Sequence, residues 1–306
     1  ANLEEANLDG ACLSGASLLD ACLRKAKLRK SNLKEANLRG ANLEGADLEG
    51  ADLEGADLEA ACLKGANLKG AILKGTHLKD ANLKEASLQR ADLSSARIID
   101  ACLENAKLEE ALFLHSTLLG ANLNNAHASG ADFSRGFLDH MSAVGASLSH
   151  CTFYRAGLGG VNLTKADITC SNLSEAQLCG AILDDSNLEY AQIQRANLRG
   201  ARFSRGRFAH ASFLKAELDG ASFENADFRK VKHLRLDNCF IRHAQFDGAG
   251  ALPIDGDPWT QLRQRYTGTR LVFNVFLSLC FFLPLALETT FWWGVHEVQV
   301  VTHADT

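Results

Sequence analysis

Nine cysteines and ten histidines are the side chains of this chain that could ligate a metal, close a disulfide or act as nucleophiles. Carboxylate pairs such as Asp47 and Glu49 could in principle share acid–base work. Their arrangement supports none of these chemistries. No Cys-x-x-Cys or His-Glu-x-x-His occurs, and the histidines are scattered. Asp47 and Glu49 look paired only because a short unit of sequence recurs. No catalytic residue, no metal site and no cofactor is therefore expected, and an enzyme is the least favoured class. The element that places all these side chains is the repeat itself, which has to be read before any other signal.

A large apolar residue recurs every fifth position from Leu3 to Phe228, in units of the form Ala-Asn/Asp-Leu-x-x. Ala36-Asn37-Leu38, Ala41-Asn42-Leu43 and Ala46-Asp47-Leu48 are typical, and only Ala128 and Ala143 replace the large centre. Residues five apart on a helix lie about 140° from one another, so the leucines would spiral over every side. On a flat strand an odd period sends successive leucines to opposite sides. A coiled coil fails because there is no heptad. All the leucines reach one core only if the chain turns once per unit, with short extended sides joined by corners. Ala, or Ser31, Thr76, Gly136, Ser171 and Gly206, fills the narrow interior at the first position, and the frequent Gly at the fifth suits a tight corner.

These units resemble the pentapeptide-repeat family over about four-fifths of the chain. The resemblance implies an all-β solenoid, a right-handed four-sided β-helix with twenty residues per coil. About twelve coils would make a rod about 55 Å long at the spacing of paired strands. The charges agree with that coil length. Arg24, Arg29, Lys34 and Arg39 are followed by Glu44, Glu49, Glu54 and Glu59, then by Lys64, Lys69, Lys74 and Lys79. The sign flips every four units, which predicts vertical ladders such as Arg24–Glu44–Lys64 and Lys34–Glu54–Lys74. On this geometry Cys22, Cys62 and Cys102 share a side but sit about 9.6 Å apart, too far for a disulfide. His140 and His150 fall on opposite sides. The cysteines read as small substitutes for Asn in a ladder with Asn2, Asn42, Asn82 and Asn122. Nine of them, with no secretion signal at the start, point to a reducing compartment.

The domain reading is a β-helix over 1–249, a linker and short amphipathic helix over 250–270, a hydrophobic helix over 271–295 and a polar tail over 296–306. A three-residue insertion, Val231-Lys232-His233, and the change from Leu to Phe at Phe203, Phe208, Phe213, Phe223 and Phe228 mark an end region. Asp257-Pro258 supplies a helix start. Leu271 to Leu287 carries no charge, the short end of what spans a bilayer. Arg263, Arg265 and Arg270 before it, with Trp292 and Trp293 after it, form the expected membrane interface and place the rod on the cytoplasmic side. An oligomer helix burying the same residues is the soluble alternative. The chain begins in frame at Ala1 without Met. Upstream residues or a partner on the uncapped first coil are expected there, so self-association is foreseen through that coil or the C-terminal helix.

With a net charge of −5 the chain has no global nucleic-acid signature, and nucleic acid is not an expected partner. The leading functional expectation is a non-catalytic protein-interaction scaffold tethered to a membrane, its protein partner unidentified. Specificity should lie where the units depart from the motif, over 111–160, at Leu112, Leu114, Leu119, Phe137, Met141 and Tyr154. The family resemblance adds a second expectation, because its quinolone-resistance members are DNA-mimicking rods that bind gyrase. That role needs a largely acidic rod, whereas the acidic belt at 41–60 is flanked by basic belts at 21–40 and 61–80. A third is an oligomeric membrane bundle or pore, lined by Asn274 and Glu288.

Overall fold

The computed structural model describes residues 1–231. The hydrophobic tail, Arg263, Arg265, Arg270, Trp292 and Trp293, and the proposed boundaries beyond 231 lie outside the described residues. Among those described, no helix is long and apolar enough to cross a membrane.

Within each unit the first and third side chains point inward. Ala36, Leu38, Ala41 and Leu43 are fully buried, and the same pairing continues to Phe228 and Val231 with few departures. The second and fourth side chains point outward, and the fifth occupies the corner. Every fifth residue from Glu5 to Lys230 has a positive φ, between 50° and 75°. Most of these are not Gly, so the left-handed corner is imposed by the coil and not only permitted by Gly.

Backbone pairing gives the coil length directly. Asn2 bridges Cys22, Asn7 bridges Lys27, Cys12 bridges Asn32 and Ser17 bridges Asn37, all parallel, and the offset of twenty persists to Arg207 and Asp227. Four bridges per coil make four faces. Coils are numbered here in twenties from residue 1; face 1 takes residues 1–5 of each coil, face 2 residues 6–10, face 3 residues 11–15 and face 4 residues 16–20. The solenoid is right-handed.

A single unit shows how the polar backbone is satisfied. Asn42 N–H donates down to the Ala21 carbonyl at 2.9 Å, while Leu43 N–H and Gly45 N–H donate up to Cys62 and Lys64 carbonyls at 2.7 and 2.9 Å. Ala46 N–H closes the turn on the Leu43 carbonyl at 3.0 Å. The Asn42 Oδ1 accepts the Glu44 N–H at 3.1 Å. That last contact, an Asx turn, recurs at Asn32, Asp52, Asn82 and Asn122 and is the local reason for Asn or Asp at the second position. Where Ser or Thr replaces the small first residue, its hydroxyl donates to a carbonyl, as from Ser31 to Leu28 and from Thr76 to Leu73, each at 2.7 Å.

The core is a stack. Phe113 and Phe133 rings lie 4.7 Å apart and nearly parallel, and Phe133 and Phe153 follow at 5.0 Å. Phe203 stacks on Phe223 at 4.8 Å and Phe208 on Phe228 at 4.9 Å, with edge contacts between the two columns. The late phenylalanines therefore continue the leucine columns with wider rings.

Candidate protein-interaction surface

The repeat arithmetic sorts the residues expected at the surface. Leu112 and Phe137 hold second positions and Leu114, Leu119 and Tyr154 hold fourth positions, all outward. Phe137 is 61 % exposed, Leu119 42 % and Leu112 40 %; Leu114 and Tyr154 are half-buried. Met141 is different. It holds an inward first position and is fully buried, so it is corrected from a surface residue to a core residue.

Its burial has a packing reason. Met141 and Ala143 are inward neighbours in one unit, and the motif's sizes are exchanged between them: large where Ala is usual, small where Leu is usual. A similar exchange surrounds Ala128, where Cys151 replaces Ala and its Sγ lies 2.9 Å from the Ala128 carbonyl. Burial pushes the Cys151 thiol up to about 12, because a thiolate would be desolvated there.

The five outward residues lie near one edge. Leu112 and Leu114 share face 3 of coil 6 (101–120); His115 is the corner, and Leu119 stands on face 4 of the same coil. Phe137 bridges Thr117 from the coil above, and Tyr154 is on face 3 one coil further, its ring 5.0 Å from the Arg155 guanidinium carbon. Above Phe137 the chain offers Gly157 and Gly159 instead of side chains. The Asp139 carboxylate accepts the Gly159 N–H at 2.8 Å, and a Cβ on Gly159 would come within 2.7 Å of that oxygen. The glycines thus leave the Phe137 ring uncovered from above. An apolar side chain at Leu112 or Phe137 also cannot supply the Asx bond that Asn or Asp provides elsewhere, so these positions give up local stability for exposed apolar surface.

Other outward apolar residues, Leu19, Ile72, Tyr190 and Leu214, are dispersed along the rod. Tyr190 stacks on His210 at 4.7 Å. Their second, fourth or fifth place in the unit marks them as outward, a signal the sequence reading did not use.

The charged belts pair unequally. Arg24 reaches Glu44 at 3.7 Å, Lys34 reaches Glu54 at 2.8 Å and Arg39 reaches Glu59 at 2.8 Å, while Arg29 pairs with Asp47. The upper legs of the expected ladders do not form: among the described residues Lys64, Lys69 and Lys74 make no ion pair. The acids of coil 3 other than Glu49 turn toward cations of coil 2, and each of those carboxylates serves a cation on that side only. The described cysteines are free thiols, and no described group of three or more His, Cys, Asp or Glu could hold a metal.

The family profile described as "Pentapeptide repeats" matches eight times, over 1–18, 21–59, 31–70, 61–98, 100–138, 146–185, 171–208 and 196–232. The chain belongs to the pentapeptide-repeat family. Among solved pentapeptide-repeat structures it is similar to HetL, described as involved in heterocyst differentiation regulation in the cyanobacterium Nostoc sp. strain PCC 7120, with 36% identity over 72% of this chain and 88% of that one, at a TM-score of 0.38. It is also similar to full-length QnrB1, described as a plasmid-mediated fluoroquinolone resistance protein, with 16% identity, 62% and 92% coverage and a TM-score of 0.33. A pentapeptide repeat protein from the Arabidopsis thaliana thylakoid lumen matches at 25% identity, 35% and 68% coverage and a TM-score of 0.19. A search of curated proteins finds no match. Nothing in the site or the comparisons shows enzymatic activity.

Proposed function

We propose that this pentapeptide-repeat protein is a non-catalytic interaction scaffold that binds a protein partner at the edge between faces 3 and 4 of coils 6–8. The observation that carries the reading is the placement of Leu112, Leu119 and Phe137 as exposed apolar side chains beside Leu114, Tyr154 and the two glycines Gly157 and Gly159, against which the Asp139 carboxylate lies. A partner inserting apolar side chains against Phe137 would gain desolvation that the flanking polar faces do not offer. The test is capture of partners by the immobilised full chain, compared with a Leu119→Ser/Phe137→Ser variant. Both positions face solvent, so the fold should be unchanged by circular dichroism while a specific partner is lost. Equal capture by both proteins would remove this edge from consideration.

The reading includes a tether. Residues 271–295 carry the uncharged run Leu271–Leu287, with Arg263, Arg265 and Arg270 before it and Trp292 and Trp293 after it, a pattern that supports insertion with the rod on the cytoplasmic side. Carbonate and detergent extraction of the full chain, against a chain ending at Gly248, tests it. Release of the full chain by carbonate would refute the tether.

A further inference from the structure

The charge belts have an order that the rod itself does not use up. On face 2 the outward residues of coils 1 to 4 are Asn7 and Asp9, then Lys27 and Arg29 with Lys30 at the corner, then Asp47 and Glu49, then Asn67 and Lys69. Asp9, Lys27, Arg29, Lys30, Glu49 and Lys69 are exposed. Of the charges, Arg29 pairs with Asp47, which also accepts the Asn67 amide at 2.9 Å, and the Asp9 carboxylate accepts the Arg29 backbone N–H at 2.8 Å. Among the described residues Asp9, Lys27, Lys30, Glu49 and Lys69 make no ion pair.

Reversed end to end, the order minus, plus, minus, plus becomes its own complement. We propose that face 2 of coils 1–4 binds a second copy of this chain, antiparallel, about a two-fold axis lying between coils 2 and 3. Such an axis keeps each column opposite itself. Asp9 then faces Lys69 of the second copy, Arg29 faces Glu49, Lys27 faces Asp47 and Asn7 faces Asn67, and every contact occurs twice, as an isologous interface requires. A parallel copy in register would set like charge against like.

The other faces fit less well. On face 3 the same operation opposes Cys12 to Ile72, and on face 4 Leu19 to Lys79. Face 1 matches at Glu4, Arg24, Glu44 and Lys64, but Arg24 lies 3.7 Å from both Glu4 and Glu44, so three of those four charges already pair within the rod. In the equivalent column of face 2 Arg29 alone does so, with Asp47. Four coils at about 4.8 Å make a short contact, so the association is weak, reversible and sensitive to salt.

The experiment is sedimentation of the full chain at low and high salt, with zero-length carbodiimide cross-linking of a mixture of ¹⁴N- and ¹⁵N-labelled protein. The expected result is a dimer whose dissociation constant rises at least about tenfold between 0.05 and 0.5 M salt, as screening of exposed pairs demands. Its diagnostic product is a mixed-isotope Asp9–Lys69 link, since the two residues stand three coils apart in one chain. Lys27→Glu/Arg29→Glu and Asp47→Lys/Glu49→Lys should each abolish the dimer alone and restore it when mixed, which rules out misfolding as the cause of loss. A monomer at every salt concentration, a dimer indifferent to salt and to these variants, or a salt-sensitive dimer without the Asp9–Lys69 link would overturn the proposal.

Discussion

Replacing Met141 by Ala should open a hole in the middle of the rod, and its size can be worked from the repeat. Met141 and Ala143 are both fully buried in one unit, so the variant would leave two alanines where every ordinary unit has one alanine and one leucine. Three heavy atoms beyond Cβ are lost, worth about 2.4 kcal/mol at the usual transfer energy per methylene. A residual cavity of roughly 50 Å³ adds about 1 kcal/mol. The expected destabilisation is therefore about 3–4 kcal/mol, felt mainly in coils 7–9 because each coil touches only its neighbours. Urea unfolding followed by circular dichroism, with hydrogen exchange to localise the loss, measures it. The double variant Met141→Ala/Ala143→Leu rebuilds the ordinary unit and should recover most of the loss. A cost below about 1 kcal/mol for the single variant, or a double variant less stable than the single, would refute the size-exchange argument.

Three further outcomes are expected. Asn42→Ala removes the acceptor of the Glu44 N–H, held at 3.1 Å, and should cost about 0.5–1.5 kcal/mol in the same urea assay. Cys151, its thiol pushed up to about 12 by burial, should resist maleimide at pH 8 in the native rod while exposed Cys170 and Cys179 react; peptide mass spectrometry gives the comparison. Acid should weaken the fold, because hydrogen bonds from Arg90, Arg205 and Arg229 hold Glu110, Asp185 and Asp227 below the usual carboxylate range. A depressed folded pKa contributes stability above the unfolded value near 4 and loses it as pH falls through the folded value. The urea midpoint should accordingly drop below about pH 4, and added salt should shrink that drop because the pairs are exposed.

Much of the fold is legible in the sequence because the period of five excludes the regular alternatives, and because the fourth-position charges change sign every twenty residues. Leu112, Phe137 and Leu119 were also readable as departures from the motif. Met141 departs from the motif just as plainly yet is a core residue, because the first and third positions of any unit face inward whatever residue holds them. What the sequence does not display is pairing: Glu54 has a lysine both below and above, and only in the folded rod is it seen to turn to Lys34. Nor does it display the Asp139 carboxylate folded onto Gly159, which leaves the Phe137 ring open to solvent on that side.

Since a face is nothing more than residue number counted modulo twenty, insertions and deletions in the gene act as rotations. Losing a whole coil shortens the rod and leaves every surface pointing as before. Losing a single five-residue unit, for example 81–85, keeps the core in phase but turns everything after it through a quarter circle. Leu112 and Leu114 would then line up with Asp9 and Lys69 instead of standing one side round. The azimuth between the charged segment and the apolar edge is thus adjustable in four discrete steps, at little cost to packing, by changes of fifteen nucleotides.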